Sequence, residues 1–288
     1  MSVLYNKMSN TIVINSSNVI NSDNNTFTYK LIGGNFKIPA GSRICISSIQ
    51  IPYSIFNITE RYGNNKFSFN WTIGAVTNTY VVTLPDGFYD VTTINQFLEL
   101  FCINNGFYLV DGSGNNVYYL VLAYNVTYYS VQSLFFLVPT SLPAGFVQPA
   151  NFAGYPTVSR TPGLIVVDNF SSIIGYSPGT YGNSLTNLSL NSNLTPIGSP
   201  VNSLILKCNL VDNSISAQSD ILDSFTIGKA IFGSNIDYTP AFQKFVKIKA
   251  GTYSDLVFQF VDQNLNNVVF KDPNVLITIL LDFQNVKT

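Results

Sequence analysis

The stretch Lys66–Ile73, KFSFNWTI, constrains the fold more than any other: in an extended chain Phe67, Phe69, Trp71 and Ile73 share one face, with Ser68, Asn70 and Thr72 on the other. A period of two with this contrast suits a strand that buries one face in a core and turns the other outward. The same period returns at Leu204, Leu206, Cys208 and Leu210, at Leu256, Phe258 and Phe260, and at Tyr80, Val82 and Leu84. In RICISSIQI the apolar set changes parity between Ile46 and Ile49, which predicts a β-bulge at Ser47 and Ser48 that keeps both halves on the core. Further strands are expected near 11–15, 26–31, 117–125, 128–138, 164–167 and 243–249. The run VLITILLDF near 275–283 is apolar enough to be buried on both faces.

One helix interrupts this pattern. Ile94, Phe97, Leu98, Phe101 and Cys102 repeat at helical spacing, with Thr93 and Gln96 as a capping box and Gly106 as the stop, which predicts a helix over about 93–105. Pro85, Asp86 and Gly87 in LPDGFYDV form the turn before it. The stretch from Pro139 to Pro200 holds eight of the 13 prolines and reads as long loops with a few short strands. Its apolar residues, among them Phe146, Phe152, Tyr155, Phe170, Ile173, Ile174, Tyr176 and Tyr181, need a core to pack on, so an elaborated loop region or a small inserted β-subdomain is expected rather than disorder.

About ten strands and one short helix indicate an all-β fold, an antiparallel sandwich with the single jelly roll as leading topology and an immunoglobulin-like or lectin-like sandwich as the alternative. The expected organisation is one jelly-roll domain over 1–288, with 106–202 as an insertion or elaborated loop within it.

Composition narrows the function. The chain has no histidine, only 10% charged residues and a formal net charge of -1, and 34 Asn, 29 Ser and 22 Thr supply its polarity. Without histidine, Ser-His-Asp and Cys-His catalysis and His-ligated metals are excluded. A carboxylate-pair glycosidase remains open on Glu60, Asp86, Asp90, Glu99, Asp220 and Asp223, each of which also has a plain turn, helix-surface or loop role. The near-neutral charge argues against direct nucleic-acid binding. DGSGNN, from Asp111 to Asn116, lacks the Lys-Ser/Thr of a phosphate loop and reads as a hairpin loop. Asp111 with Asn115, and Asp262 with Asn264 and Asn266, carry the oxygens a calcium ion takes, although such loops arise more often for turn reasons.

Cys45, Cys102 and Cys208 fit neither a disulfide framework nor a zinc pattern and are expected as buried free thiols. Eight Asn-x-Ser/Thr sequons, one at Asn57, are close to the number that composition alone produces. No apolar run is long enough for a membrane span, and the polar N-terminal segment does not read as a signal peptide, so a chain made inside a cell is expected. Tyr118, Tyr119, Tyr124, Tyr128 and Tyr129 form either a sugar-binding platform or ordinary strand and interface tyrosines. Low charge with 14% aromatic residues suits a surface covered by neighbouring subunits.

Several segments together are similar to a known family. FKIPAGSRICISSIQIPYSIFNIT, KFSFNW, LPDGFYDVTTINQFLELF, IIGYSPGTYG, SLILKCNLVDNSISAQSDILDSF and the closing KIKAGTYSDLVFQFVDQNLNNVVFKDPNVLITILL resemble the penton, or minor capsid, proteins of virophages and related Polinton-like DNA viruses. The resemblance implies a single jelly roll forming homopentamers at the five-fold vertices of an icosahedral virion, beside a major capsid protein and assembled in the host cytoplasm. It also implies that an insertion points outward, where a host receptor or glycan is a candidate partner. No catalytic, cofactor-binding or metal-ligating residue is carried over, and no enzymatic activity is implied. With only Lys7, Lys30 and Lys37 as cations in the first 40 residues, an N-terminal arm is expected to touch other capsid proteins rather than nucleic acid. The rival readings are a glycan- or receptor-binding sandwich and a jelly-roll enzyme with facing carboxylates.

Overall fold

In the computed structural model, residues 8–16, 19–22, 24–30, 33–213 and 218–283 are described. The chain runs β1 (Met8–Asn15), β2 (Val19–Ser22), β3 (Thr26–Lys30), β4 (Phe36–Ile38) and β5 (Arg43–Pro52). Next come β6 (Lys66–Ile73), β7 (Val76–Thr83), α1 (Val91–Asn105), β8 (Tyr108–Val110), β9 (Asn116–Tyr118), β10 (Leu120–Asn125), β11 (Ser130–Phe135), β12 (Gly163–Val166), α2 (Asp168–Ile174), β13 (Gly179–Gly182) and β14 (Leu188–Asn191). It ends with β15 (Ser203–Cys208), β16 (Ile221–Thr226), β17 (Asn235–Tyr238), β18 (Val246–Lys247), β19 (Gly251–Tyr253), β20 (Asp255–Asp262) and β21 (Leu276–Phe283). Two compact units result: Met1–Phe56 with Val201–Thr288, and Asn57–Pro200.

The first unit is a sandwich of two antiparallel sheets, ordered β1-β21-β5-β17 and β16-β15-β20-β3-β2. Taking β1, β3, β5, β15, β16, β17, β20 and β21 as first to eighth, the sheets read first-eighth-third-sixth and second-seventh-fourth-fifth, which is the jelly-roll winding. The predicted bulge is present: Thr278 opposes Ser48 and Ile279 opposes Ile46, so Ser47 is the extra residue. Ile44, Ile46, Ile49 and Ile51 are all buried as a result. Where β16 leads to β17, the Phe225 and Tyr238 rings stack at 4.6 Å and tie one sheet to the other.

The run at 275–283 differs from expectation. In β21, Ile277, Ile279 and Leu281 are buried while Leu276 is 38% exposed, so the strand alternates instead of burying both faces. β21 is hydrogen-bonded on both edges, by β1 and β5, and one of its faces still lies outside the core.

The second unit carries the sheets β13-β12-β6-β7 and β10-β11-β14 and the hairpin β8-β9. KFSFNWTI pairs with β7 and β12, and Phe67, Phe69 and Trp71 are buried as their period requires. Around them, Phe107 lies 5.2 Å from Phe69 and 5.1 Å from Trp71, Tyr119 lies 5.9 Å from Trp71, and the Trp71 indole donates to the Gly154 carbonyl. Burial of each such ring is worth about 1.5–3 kcal/mol. Helix α1 lies on β10, where Asn95 Oδ1 accepts the Leu122 amide at 2.7 Å.

Two expectations shift here. The α1 cap is Asp90 with Thr93, three residues before the predicted box of Thr93 and Gln96, because the Asp90 carboxylate accepts the Thr93 amide while the Thr93 hydroxyl oxygen accepts the Asp90 amide. A second helix, α2, lies within the stretch read as loops and strands, and the spacing of Phe170, Ile173 and Ile174 was its only signal. The compact second unit spans Asn57–Pro200 and holds KFSFNWTI and both helices. Alternation reports that a strand is half buried and not which sheet receives it.

Candidate functional site

The second unit presents an aromatic tip beside a groove. β10 and β11 are joined by a short 3-10 turn, Val126–Tyr128, followed by Tyr129 in the left-handed region at φ 48, a conformation that costs a bulky residue about 1 kcal/mol or more. Tyr124, Tyr128 and Tyr129 are 44%, 71% and 62% exposed, and the Tyr124 and Tyr129 rings meet edge to face at 6.1 Å. These two rings line a groove of about 280 Å³ together with Tyr89, Asp90, Thr92, Ile94, Ile173 and Pro196.

A buried amide holds the groove in shape. Asn57 has no solvent exposure, donates to the Tyr89 and Gly198 carbonyls at 2.7 and 2.6 Å, and accepts the Tyr89 amide at 2.8 Å. Both residues it ties together line the groove. The Asn57 sequon therefore marks a structural amide, fully satisfied and closed to modification.

Of the five predicted platform tyrosines, Tyr119 is in the core, where burial pushes its pKa to about 12, and Tyr118 is half buried with its hydroxyl accepting from Asn116. Tyr128 is exposed without lining the groove. Sequence reasoning missed Tyr89, which sits in a turn and belongs to no periodic set.

The candidate carboxylates each serve a local role. Asp86 accepts the Glu60 amide at 2.8 Å, Asp90 caps α1, and Glu99 accepts from Asn95. Asp220 pairs with Lys207 at 3.0 Å. Among the described residues, Glu60 and Asp86 meet through the Glu60 backbone amide and not through their two carboxylates.

The two Asx loops share one geometry. Asp111 accepts the amides of Ser113 and Asn115 and the Asn115 side chain, which holds its pKa below the usual carboxylate value, the Asn115 amide contributing most. Asp262 accepts the amides of Asn264 and Asn266 and the Asn266 side chain in the same way. Such turns direct N–H donors at the oxygens a cation needs. Among the described residues, no three His, Cys, Asp or Glu side chains gather as a metal site. Cys45, Cys102 and Cys208 are all buried, and burial raises the pKa of Cys102 and Cys208 to about 12. No helix among the described residues is long and apolar enough to cross a membrane.

In the first unit, buried Asp223 accepts the Tyr238 hydroxyl at 2.9 Å and meets Lys244 at 3.4 Å. Burial first, and then the Asp223 carboxylate, push the Tyr238 pKa from 10.0 to about 12. A tyrosine raised in this way stabilises the fold fully below pH 10 and loses that contribution as pH climbs through 12. Tyr238→Phe is therefore expected to flatten part of the loss of stability between about pH 10 and 12, measured as denaturation midpoints at several alkaline pH values. An identical alkaline slope in wild type and variant would refute the assignment.

No family model matches the sequence. No curated protein matches it. Among solved structures, the chain is similar to the crystal structure of the mavirus penton protein, with 10% identity and a TM-score of 0.44 over 95% of this chain and 99% of that one.

Proposed function

We propose that the chain is a structural capsid protein, a penton that forms pentamers at the five-fold vertices of an icosahedral virion. The observation that carries this reading is the first-eighth-third-sixth and second-seventh-fourth-fifth strand order, since jelly rolls are recurrent capsid architectures. The composition supports it: a chain with 10% charged residues leaves much surface suited to burial by other subunits. Apolar residues stand exposed on the first unit, Ile231 at 74% and Phe242 at 68% in the loops around β17, and Val13 and Leu276 on β1 and β21.

A closed five-fold ring needs a heterologous interface, one surface of the subunit meeting a different surface of the next. An obligate contact of this kind buries on the order of 2,000 Å² or more. In this reading residues 57–200 are an insertion between the third and fourth jelly-roll strands that faces outward. A major capsid protein is the neighbouring partner, and the product is a virion component assembled in the host cytoplasm.

Native mass spectrometry with negative-stain microscopy tests the reading. Five-membered rings of the 31.7 kDa chain are expected. A monomer that persists at every concentration, alone and with the major capsid protein, would remove it.

A further inference from the structure

We propose that the groove beside Tyr124 and Tyr129 is a binding site for a neutral pyranose sugar. Sugar rings present apolar C–H faces and hydroxyl edges, and they are recognised where exposed aromatic faces lie beside a few fixed polar groups. Here Tyr124 and Tyr129 stand exposed at the rim, with Tyr89, Ile173 and Pro196 as further apolar lining. Polar contacts come from Asp90 and Thr92 in the same lining. Asp90 caps α1 through Oδ1, which leaves Oδ2 as an acceptor, and Thr92 adds an exposed hydroxyl.

Charge selects the ligand class. Asp90 is the one side chain of the lining that is charged at neutral pH and no Lys or Arg lines the groove with it, so a sialic acid carboxylate would be repelled while a neutral hexose would not. Size agrees: about 280 Å³ lies just below the roughly 300–1,000 Å³ typical of pockets for drug-sized ligands, which suits a ligand as small as one or two sugar rings. A strand-like peptide finds no edge at this site, because β10 pairs with β11 on one side and gives its Leu122 amide to Asn95 on the other. The groove is also preorganised, since Asn57 fixes Tyr89 against Gly198 and ordering costs on binding are reduced.

The site is independent of the capsid reading, so rings without sugar binding would defeat this inference alone, and sugar binding by a monomer would defeat only the other. The experiment applies the full-length chain to an array of neutral and sialylated glycans. Hits are then followed by saturation-transfer NMR with the methyl pyranosides of glucose, galactose and mannose. Binding to neutral glycans is expected, with Tyr124→Ala and Tyr129→Ala each weakening it about tenfold and Tyr129→Phe retaining it. Thr92→Arg, at an exposed helix position that leaves the core untouched, should fill the groove and abolish binding even if an alanine variant is unstable. Absence of neutral-glycan binding, binding confined to sialylated glycans, or binding that survives Thr92→Arg would each overturn the proposal.

Discussion

Gly106→Ala is expected to destabilise the second unit by about 3–4 kcal/mol, among the larger effects open to a single methyl group. Gly106 ends α1 at φ 71, in the left-handed region, and its amide closes onto the Cys102 and Ile103 carbonyls. A β-carbon there would sit 1.9 Å from the Asn151 carbonyl oxygen and 2.9 Å from the Phe152 α-carbon. These are backbone atoms, and they cannot swing aside. The Ala153 amide bonds to the Gly106 carbonyl and the Asn151 side chain to the Ile103 carbonyl, so moving the turn at 149–153 breaks further contacts. Phe152 would withdraw from Trp71, which it meets at 6.5 Å.

Gly114→Ala is the control. Gly114 also has a positive φ, 88, but nothing lies within 4 Å of the added carbon, so only the left-handed penalty of about 1–2 kcal/mol applies. Trp71 is the single tryptophan and is buried in this unit, so its emission during chemical denaturation reports the transition directly. Equal costs for the two variants would show that the close approach at Asn151 is not what makes the glycine necessary.

Arg43→Met is expected to cost the jelly roll about 3 kcal/mol. Arg43 and Asp282 are directly opposed on β5 and β21, and the guanidinium reaches the carboxylate at 2.6 Å. The Asp282 side chain is only 1% exposed, so removing the cation leaves a desolvated negative charge near the middle of a sheet. Arg43 itself is 37% exposed, which places the cost at the lower end of the about 3–5 kcal/mol found for broken buried pairs. The sign should reverse in the double variant. Arg43→Met with Asp282→Leu removes the buried carboxylate together with its partner and is expected to recover most of the loss.

Cys45 offers a local probe for this pair. It is fully buried, two residues along β5 from Arg43, and its reaction with a thiol reagent requires local opening of the strand. Peptide-mapped labelling should be faster by on the order of a hundredfold in Arg43→Met, at about tenfold per 1.4 kcal/mol, and near the wild-type rate in the double variant. A double variant as labile as the single one would contradict this account of the ion pair.

The legible features of the sequence were local ones. The alternation in KFSFNWTI, the parity change at Ser47 and the helical spacing that ends at Gly106 all appear in the structure where they were expected. Each depends on backbone geometry over fewer than a dozen residues. The candidate site was half legible: a cluster of tyrosines was visible, but buried Tyr119 precedes β10, exposed Tyr129 follows the turn after it, and Tyr124 is exposed although it shares the parity of buried Leu120 and Leu122, so periodicity alone could not separate them. Tyr89 and Asn57 carried no signal, because one is a turn residue and the other looked like a chance sequon.

By itself the sequence determined an all-β chain with one short helix over about 93–105, a core of alternating apolar residues and a composition short of charge. It also determined which side chains are buried along most strands, because a period of two leaves one arrangement that hides them. The tertiary structure alone decided which strands meet. β1 lies beside β21 from the far end of the chain, β5 pairs with both β21 and β17, and the second unit intervenes between the third and fourth jelly-roll strands. Backbone hydrogen bonds are alike for every residue but proline, so strand pairing is set by the combined fit of many distant side chains and not by any one segment.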